Sequence, residues 1–184
     1  EEEADNEDFS KQLAELADLY VNDAFGTCHR AHASTYGVTR FLKSCAGFLV
    51  EKELRIMGKA MEAPDKPFIG ILGGVKLSDK IKVIENLLIK VDKLLIGGAM
   101  IFTFFKAQGK AIGASKLDET GVDIAKKFLN NKKIVLPVDV VVADKFDANA
   151  NSRVVDRDNI PDGWLGLDIG PESIQQFKEI LKNS

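Results

Sequence analysis

From Pro67 to the last residue, two hydrophobic rhythms take turns along the chain. The run FIGIL (68–72) is short, continuous and apolar, as a buried strand is, and it ends at Gly73-Gly74. In the following SDKIKVIENLLIKV, Ile81, Ile84, Leu87, Leu88 and Val91 fall on one helical face, with Ser78 as the predicted N-cap. KLLIG (93–97) predicts a second buried strand, again closed by a glycine pair, and MIFTFFKAQG a short helix stopped at Gly109. LDETGVDIAKKFLNN predicts a helix starting near Leu117 or Asp118. KIVLPVDVVVA (133–143) predicts a third strand, with Pro137 placing its first half at an edge or a bend. IGPESIQQFKEILKN predicts a closing helix with Pro171 and Glu172 in its first turn.

Strands alternating with helices in this way predict an α/β fold, a parallel sheet with helices on both faces in the Rossmann-like manner. Ligands of such sheets lie beyond the carboxyl ends of the strands, where both glycine pairs fall. The first 66 residues follow another rhythm. DFSKQLAELADLY predicts an amphipathic helix carrying Phe9, Leu13 and Leu16 on one side, and LYVNDAF a brief strand. GTCHRAHASTYGV has the small and polar residues of a loop. AGFLVEKELRIMGKAME (46–62) predicts a helix anchored by Leu49, Leu54, Met57 and Met61. The proline-bearing APDKP (63–67) is the predicted domain boundary.

Composition narrows the partners. Hydrophobic residues make up 45% and charged residues 29% of 184, an ordinary balance for a globular protein. The net charge of −3 conceals six acids within residues 1–8, so the rest of the chain is mildly basic. That tolerates anionic ligands but falls well short of a nucleic-acid footprint. The longest apolar-rich stretch, 94–105, is too short to cross a bilayer, so no membrane partner is expected. Cys28 and Cys45 stand far apart without metal-ligand spacing, which favours reduced thiols and a cytoplasmic setting.

The candidate chemistry centres on ILGGVKLSDK (71–80). It is neither a Walker loop nor G-x-G-x-x-G. Glycines permit close backbone approach, while Lys76 and Lys80 lie beside a predicted helix N-terminus, where cations oppose the helix dipole unless an anion intervenes. Helix amides plus lysine charge suit a polyphosphate; a tight turn with solvated lysines is the competing reading. Gly97-Gly98 fits either helix–strand packing or a slot for a flat ring. CHRAH (28–32) offers Arg30 as a fork for carboxylate or phosphate, and its two histidines lack a third metal ligand nearby.

Taken together, LYVNDAFGTCHRAHAST, AGFLVEKEL, PFIGILGGVKLSDKI, LIGGAMIFTF, LPVDVVVADKF and IPDGWLGLDIGPES resemble the phosphoglycerate kinase family in order and approximate spacing, over nearly the whole chain. The resemblance implies a two-domain kinase, incomplete in this chain. Residues 1–45 would be the end of the substrate-binding domain, 46–66 the interdomain helix and linker, and 67–184 the first part of the nucleotide-binding domain. It implies reversible phosphoryl transfer between 1,3-bisphosphoglycerate and ADP, giving 3-phosphoglycerate and ATP, by a monomeric parent. Arg30 matches a residue holding the acidic substrate. Lys76 matches the lysine that follows the transferring phosphoryl group, and Lys80 the nucleotide-phosphate lysine. Gly73, Gly74, Gly97, Gly98, Leu117, Gly166 and Leu167 match the walls around the adenosine. Val75 and Ala99 depart mildly from the family pattern and are expected to narrow the slot. The segments that carry the catalytic arginine, and the aspartate that holds Mg2+ with ADP or ATP, have no counterpart here. The chain therefore reads as an internal fragment, inactive alone. A non-catalytic nucleotide-binding module and a complementing half are the alternatives.

Overall fold

The computed structural model describes residues 1–182 and 184, which form two compact units, Glu1–Pro64 and Asp65–Ser184. The front unit contains α1 (Glu7–Ala14), the parallel strands β1 (Leu19–Asn22) and β2 (Lys43–Ala46), and α2 (Phe48–Glu62). Asn6 caps α1 by accepting the Phe9 amide at 2.9 Å. The helix stops at Ala14, well short of the Tyr20 that periodicity allowed. Asp23 caps α2 from a distance: its Oδ1 accepts the Leu49 amide at 2.7 Å and that of Val50 at 3.2 Å. Of the predicted α2 anchors, Leu49, Leu54 and Met57 are exposed, and Val50 is the buried residue of the helix. Strand β2 escaped the sequence reading because KSCA has no apolar alternation to mark it.

The rear unit is larger and better filled. Strands β3 (Ile69–Leu72), β4 (Lys93–Ile96) and β5 (Ile134–Val135) form a parallel sheet in that order, with β4 central and fully buried from Leu94 to Ile96. Helices α3 (Ile81–Lys90), α4 (Met100–Ala107) and α5 (Val122–Phe128) follow the strands or the loops between them. Ile84 and Val91 are buried as the helical pattern required, and Leu87 and Leu88 pack against the same core. Phe102 and Phe105 meet edge-to-face at 6.0 Å, and together with Phe104 they fill the centre of that core.

Residues 133–143 do not make one strand. Pro137 supplies no N–H for a ladder, and the chain changes sheets there. β5 ends the parallel sheet, and β6 (Asp139–Ala143) begins an antiparallel one between β7 (Ser152–Asp156) and β8 (Leu165–Ile169). This second sheet is an addition to the all-parallel arrangement expected from the sequence. A bulge interrupts the β6–β8 pairing: Val141 faces Asp168 and Val142 faces Gly166, which leaves Leu167 as the extra residue. The closing helix α6 (Pro171–Lys182) is fastened to β6 by a buried network. The Asp139 carboxylate accepts the Glu172 and Ser173 amides at 3.0 and 2.8 Å and the Ser173 hydroxyl at 2.5 Å. Burial alone would raise the Asp139 pKa, but the bonds from Ser173 and Glu172 outweigh it and hold the carboxyl below its usual range.

Candidate functional site

The carboxyl ends of β3 and β4 lie side by side, so the glycine pairs that follow them meet. The ladder runs on past the strands, with the Gly97 amide donating to Leu72 O at 2.9 Å, and the Met100 amide donates to Gly74 O at 2.9 Å. Within each pair the two glycines play different parts. Gly98, at φ +65, lies so close that a Cβ there would come within 2.6 Å of Gly74 N and 2.8 Å of Gly74 O. Gly74 is itself at φ +146. These second glycines are required by the fold. By contrast, a Cβ on Gly97 would meet nothing within 4 Å, and one on Gly73 would reach only ordinary contact with Gly97. The first glycines leave room that the protein itself does not use.

Lysine charge stands at this opening. The loop 75–80 is pinned by Leu77, which is fully buried between Lys76 and Lys80. Lys80 folds back so that a Cβ on Gly74 would lie 3.0 Å from both its Cε and its Nζ. Lys76 is exposed and Lys80 half-buried, and among the described residues neither forms an ion pair. Ser78 is not the N-cap that the sequence predicted. Residues Ser78–Lys80 form a 3-10 turn, α3 begins at Ile81, and no side chain caps it and no acid lies in its first turn. The serine amide is instead taken by Asp118, whose Oδ2 accepts it at 2.8 Å. Oδ1 of the same carboxylate accepts the Thr120 hydroxyl and the Gly121 amide, while the Asp118 amide donates to Thr103 Oγ1 at 3.2 Å. Asp118 therefore braces the lysine loop against α4 and the start of α5. Burial pushes its pKa up, but the bonds from Ser78, Thr120 and Gly121 prevail and hold it below the usual carboxylate range.

Beside this opening lies a cavity of about 560 Å³, within the ordinary size of a small-molecule site. Val75 and Ala99 form part of its wall, as their place next to the two glycine pairs implies, and Ala114 and Leu165 continue it. Gly166 and the bulged Leu167 close one side. Gly166 also packs flat on the Phe102 ring, where any Cβ would collide, and its amide donates to Ser115 Oγ at 2.8 Å. Leu117 is placed elsewhere: half-buried, it packs against the core, and Lys116 lines the cavity in its stead. Phe146, highly exposed on the loop after β6, completes the rim. The sequence reading left Lys116 and Phe146 unassigned. Residues 114–117 run exposed, buried, exposed and half-buried, an order that the residue types Ala-Ser-Lys-Leu do not announce.

Arg30 belongs to the front unit, exposed in the turn after Phe25–Thr27, with its amide on Thr27 O at 2.9 Å. His29 and His32 flank it without forming a metal group. Among the described residues no three His, Cys, Asp or Glu side chains come together as a metal cluster. No described helix is long and apolar enough to cross a membrane.

The chain is similar to known proteins of one kind. A family model described as phosphoglycerate kinase matches residues 1–184. The chain is 57% identical to a phosphoglycerate kinase of Microcystis aeruginosa, over 100% of this chain and 47% of that one. It is also 57% identical to a cytosolic phosphoglycerate kinase of Nicotiana tabacum, over 98% of this chain and 47% of that one. The solved phosphoglycerate kinase of Coxiella burnetii superposes with a TM-score of 0.80 at 40% identity, covering 98% of this chain and 48% of that one. The chain spans about half the length of the curated relatives it matches.

Proposed function

The chain belongs to the phosphoglycerate kinase family, and from that premise we propose that the protein carrying it moves a phosphoryl group between 1,3-bisphosphoglycerate and ADP. In the forward direction the bond from phosphorus to the acyl oxygen breaks. A bond from phosphorus to a β-phosphate oxygen of ADP forms, leaving 3-phosphoglycerate and ATP. Residues 67–184 supply the first part of the nucleotide-binding domain, 46–66 the helix and linker between domains, and 1–45 the end of the domain that takes the acidic substrate. The cytosolic relative in tobacco supports a cytoplasmic location, whereas a relative in Volvox carteri is named chloroplastic.

One observation carries this reading: two lysines without an ion pair among the described residues, and a helix start without a side-chain cap, stand beside Gly73 and Gly97, where an added Cβ would meet at most ordinary contact. Phosphoryl transfer asks the protein for positioning and charge neutralisation more than for covalent chemistry. Lys80 and the first amides of α3 hold the nucleotide phosphates. Lys76, exposed, follows the equatorial oxygens of the transferring group and offsets their charge. Gly73 and Gly97 let backbone lie against the nucleotide, and the cavity from Val75 to Leu167 takes the base. Arg30 grips the acidic substrate with a planar fork. Magnesium accompanies the nucleotide as its counter-ion. Among the described residues no three His, Cys, Asp or Glu side chains come together to hold it.

Calorimetric titration of the chain with ADP, AMP and adenosine tests the reading. ADP is expected to bind at least about tenfold more tightly than AMP, as lysine-to-phosphate bonds worth about 1.5–3 kcal/mol require. Equal affinity for ADP and adenosine would overturn it. The 184 residues alone are expected to yield no ATP from 1,3-bisphosphoglycerate in a coupled assay, and measurable turnover would refute that part.

A further inference from the structure

At the end of the rear unit opposite the glycine pairs, the starts of β3, β4 and β5 lie in register, Ile69 beside Lys93 and Leu94 beside Ile134. Parallel strands put all their starts at one end, so the segments leading into them gather there too. Lysines collect in those segments: Lys66 precedes β3, Lys90 ends α3, Lys93 opens β4, and Lys132 and Lys133 precede β5. Contacts fix three of the ammonium groups. Lys133 Nζ donates to Leu88 O at 2.7 Å, Lys66 Nζ to Lys90 O at 3.1 Å, and Lys93 Nζ to Lys132 O at 3.1 Å. Two of these stand on the last carbonyls of α3, where cations complement the helix dipole. An ammonium has three protons to donate, so such bonds leave donors for an outside anion. The acids of the same segments are Asp65, Asp92, which pairs with Lys66 at 3.0 Å, and Glu85, one turn back along α3. Ile89, between the two residues whose carbonyls hold lysines, is 78% exposed.

We propose that this end of the rear unit docks on an anionic lipid surface, with the lysines on the headgroups and Ile89 seated in the apolar side of the interface. Basic charge draws a protein to such a surface, and an apolar side chain among the charges adds burial once it arrives. An acidic peptide or a nucleic acid would engage the lysines and leave Ile89 in water. Single-stranded nucleic acid also wants an exposed ring to stack on. Among the described residues of the rear unit that ring is Phe146, which lines the cavity by the other end of the strands. Surface contact needs no spanning segment, and no described helix is long and apolar enough to be one. Strands β3 and β4, four residues each, separate the docked end from the glycine pairs by about 13 Å, so the nucleotide loops stay on the water side.

The test is co-sedimentation of the chain with vesicles of phosphatidylcholine alone and of phosphatidylcholine with about one-third phosphatidylserine. Binding to the anionic vesicles is expected to exceed binding to the neutral ones by about tenfold or more, and to fall steeply as salt rises from about 0.05 to about 0.5 M. Lys93→Gln/Lys132→Gln, at two exposed positions, is expected to weaken it by about ten- to thirtyfold. Ile89→Gln is expected to weaken it by about threefold or more with the salt dependence unchanged. Lys145→Gln, exposed on the loop after β6, serves as the control and leaves binding unchanged. Thermal melts of all three variants should match that of the unaltered chain. Equal binding to the two kinds of vesicle, or none to either, overturns the proposal. So does an equal loss in Lys145→Gln, which would assign the binding to overall charge. Full binding by Ile89→Gln, together with equal capture of the chain by heparin, would make the surface a general polyanion site and also overturn it.

Discussion

The two units are held together by different means. In the front unit the buried apolar residues are Ala14, Ala33, Val38 and Val50, while Leu16 is 81% and Phe48 88% exposed. Polar stitches carry much of the load. Arg40 pairs with Asp5 at 2.7 Å, Ser34 bonds to Glu2, and Asp23 caps α2. The rear unit buries Phe102, Phe104, Phe105, Leu94, Leu95 and Ile96 almost completely. A two-stranded sheet with a thin core is marginal in water, whereas close packing of large side chains fixes its neighbours within narrow limits. The site with demanding geometry sits on the densely packed unit. On the proposed reading Arg30, on the thinner one, has only to present a charged fork.

The largest test of that contrast is a pair of truncations. Phe104→Ala is expected to cost the rear unit about 3–5 kcal/mol, and Val38→Ala in the front about 1–2 kcal/mol, read by hydrogen exchange in each unit. Comparable costs would erase the distinction. Next come the two aspartate caps. Asp139→Ala strips a buried network and is expected to cost about 2–3 kcal/mol, while Asp23→Ala removes an exposed cap worth about 1 kcal/mol.

The glycine pairs sharpen the comparison within the rear unit itself. Gly98→Ala forces a Cβ onto the Gly74 backbone at a positive φ and is expected to cost about 1–3 kcal/mol in chemical denaturation. Gly97→Ala should leave the denaturation midpoint in place and weaken ADP binding, because only a ligand would occupy the space its Cβ enters. A Gly97→Ala chain with normal affinity would reduce that glycine to a packing residue.

A smaller effect follows from acid. Asp139 and Asp118 bind their protons less readily when folded than when unfolded. Their contribution to stability is therefore complete above the unfolded carboxylate pKa of about 3.9 and is lost as pH falls through the lower folded values. Denaturation midpoints should hold steady from neutrality down to about pH 5 and then decline. The decline should be shallower in Asp139→Asn.

Much of the parallel sheet was legible because its signals are local. FIGIL and KLLI are uninterrupted apolar runs, and the 3.6-residue spacing from Ile81 to Val91 has one helical solution. The antiparallel sheet was not legible for the opposite reason. SRVVD is mostly exposed and has no period-two pattern, and LGLDI carries a bulge that breaks the alternation a reader would count. Ser78 looked like a cap because its residue type is right. Tertiary structure instead ties the Ser78 amide to Asp118, forty residues further on, and starts α3 at Ile81 without a side-chain cap, neither of which can be seen in a local window. The cavity depends on the same kind of distance. Its walls come from residues 75, 99, 114, 116, 146 and 165–167, and no single stretch announces them.

The central claim is that the loop after β3 grips nucleotide phosphate through Lys76 and Lys80. ADP titration of the Lys76→Ala/Lys80→Ala chain, alongside its thermal melt, tests this most directly. Affinity is expected to fall by about tenfold or more for each charge-assisted bond removed, with the melt unchanged because neither lysine is ion-paired among the described residues. An affinity equal to that of the unaltered chain would contradict the account.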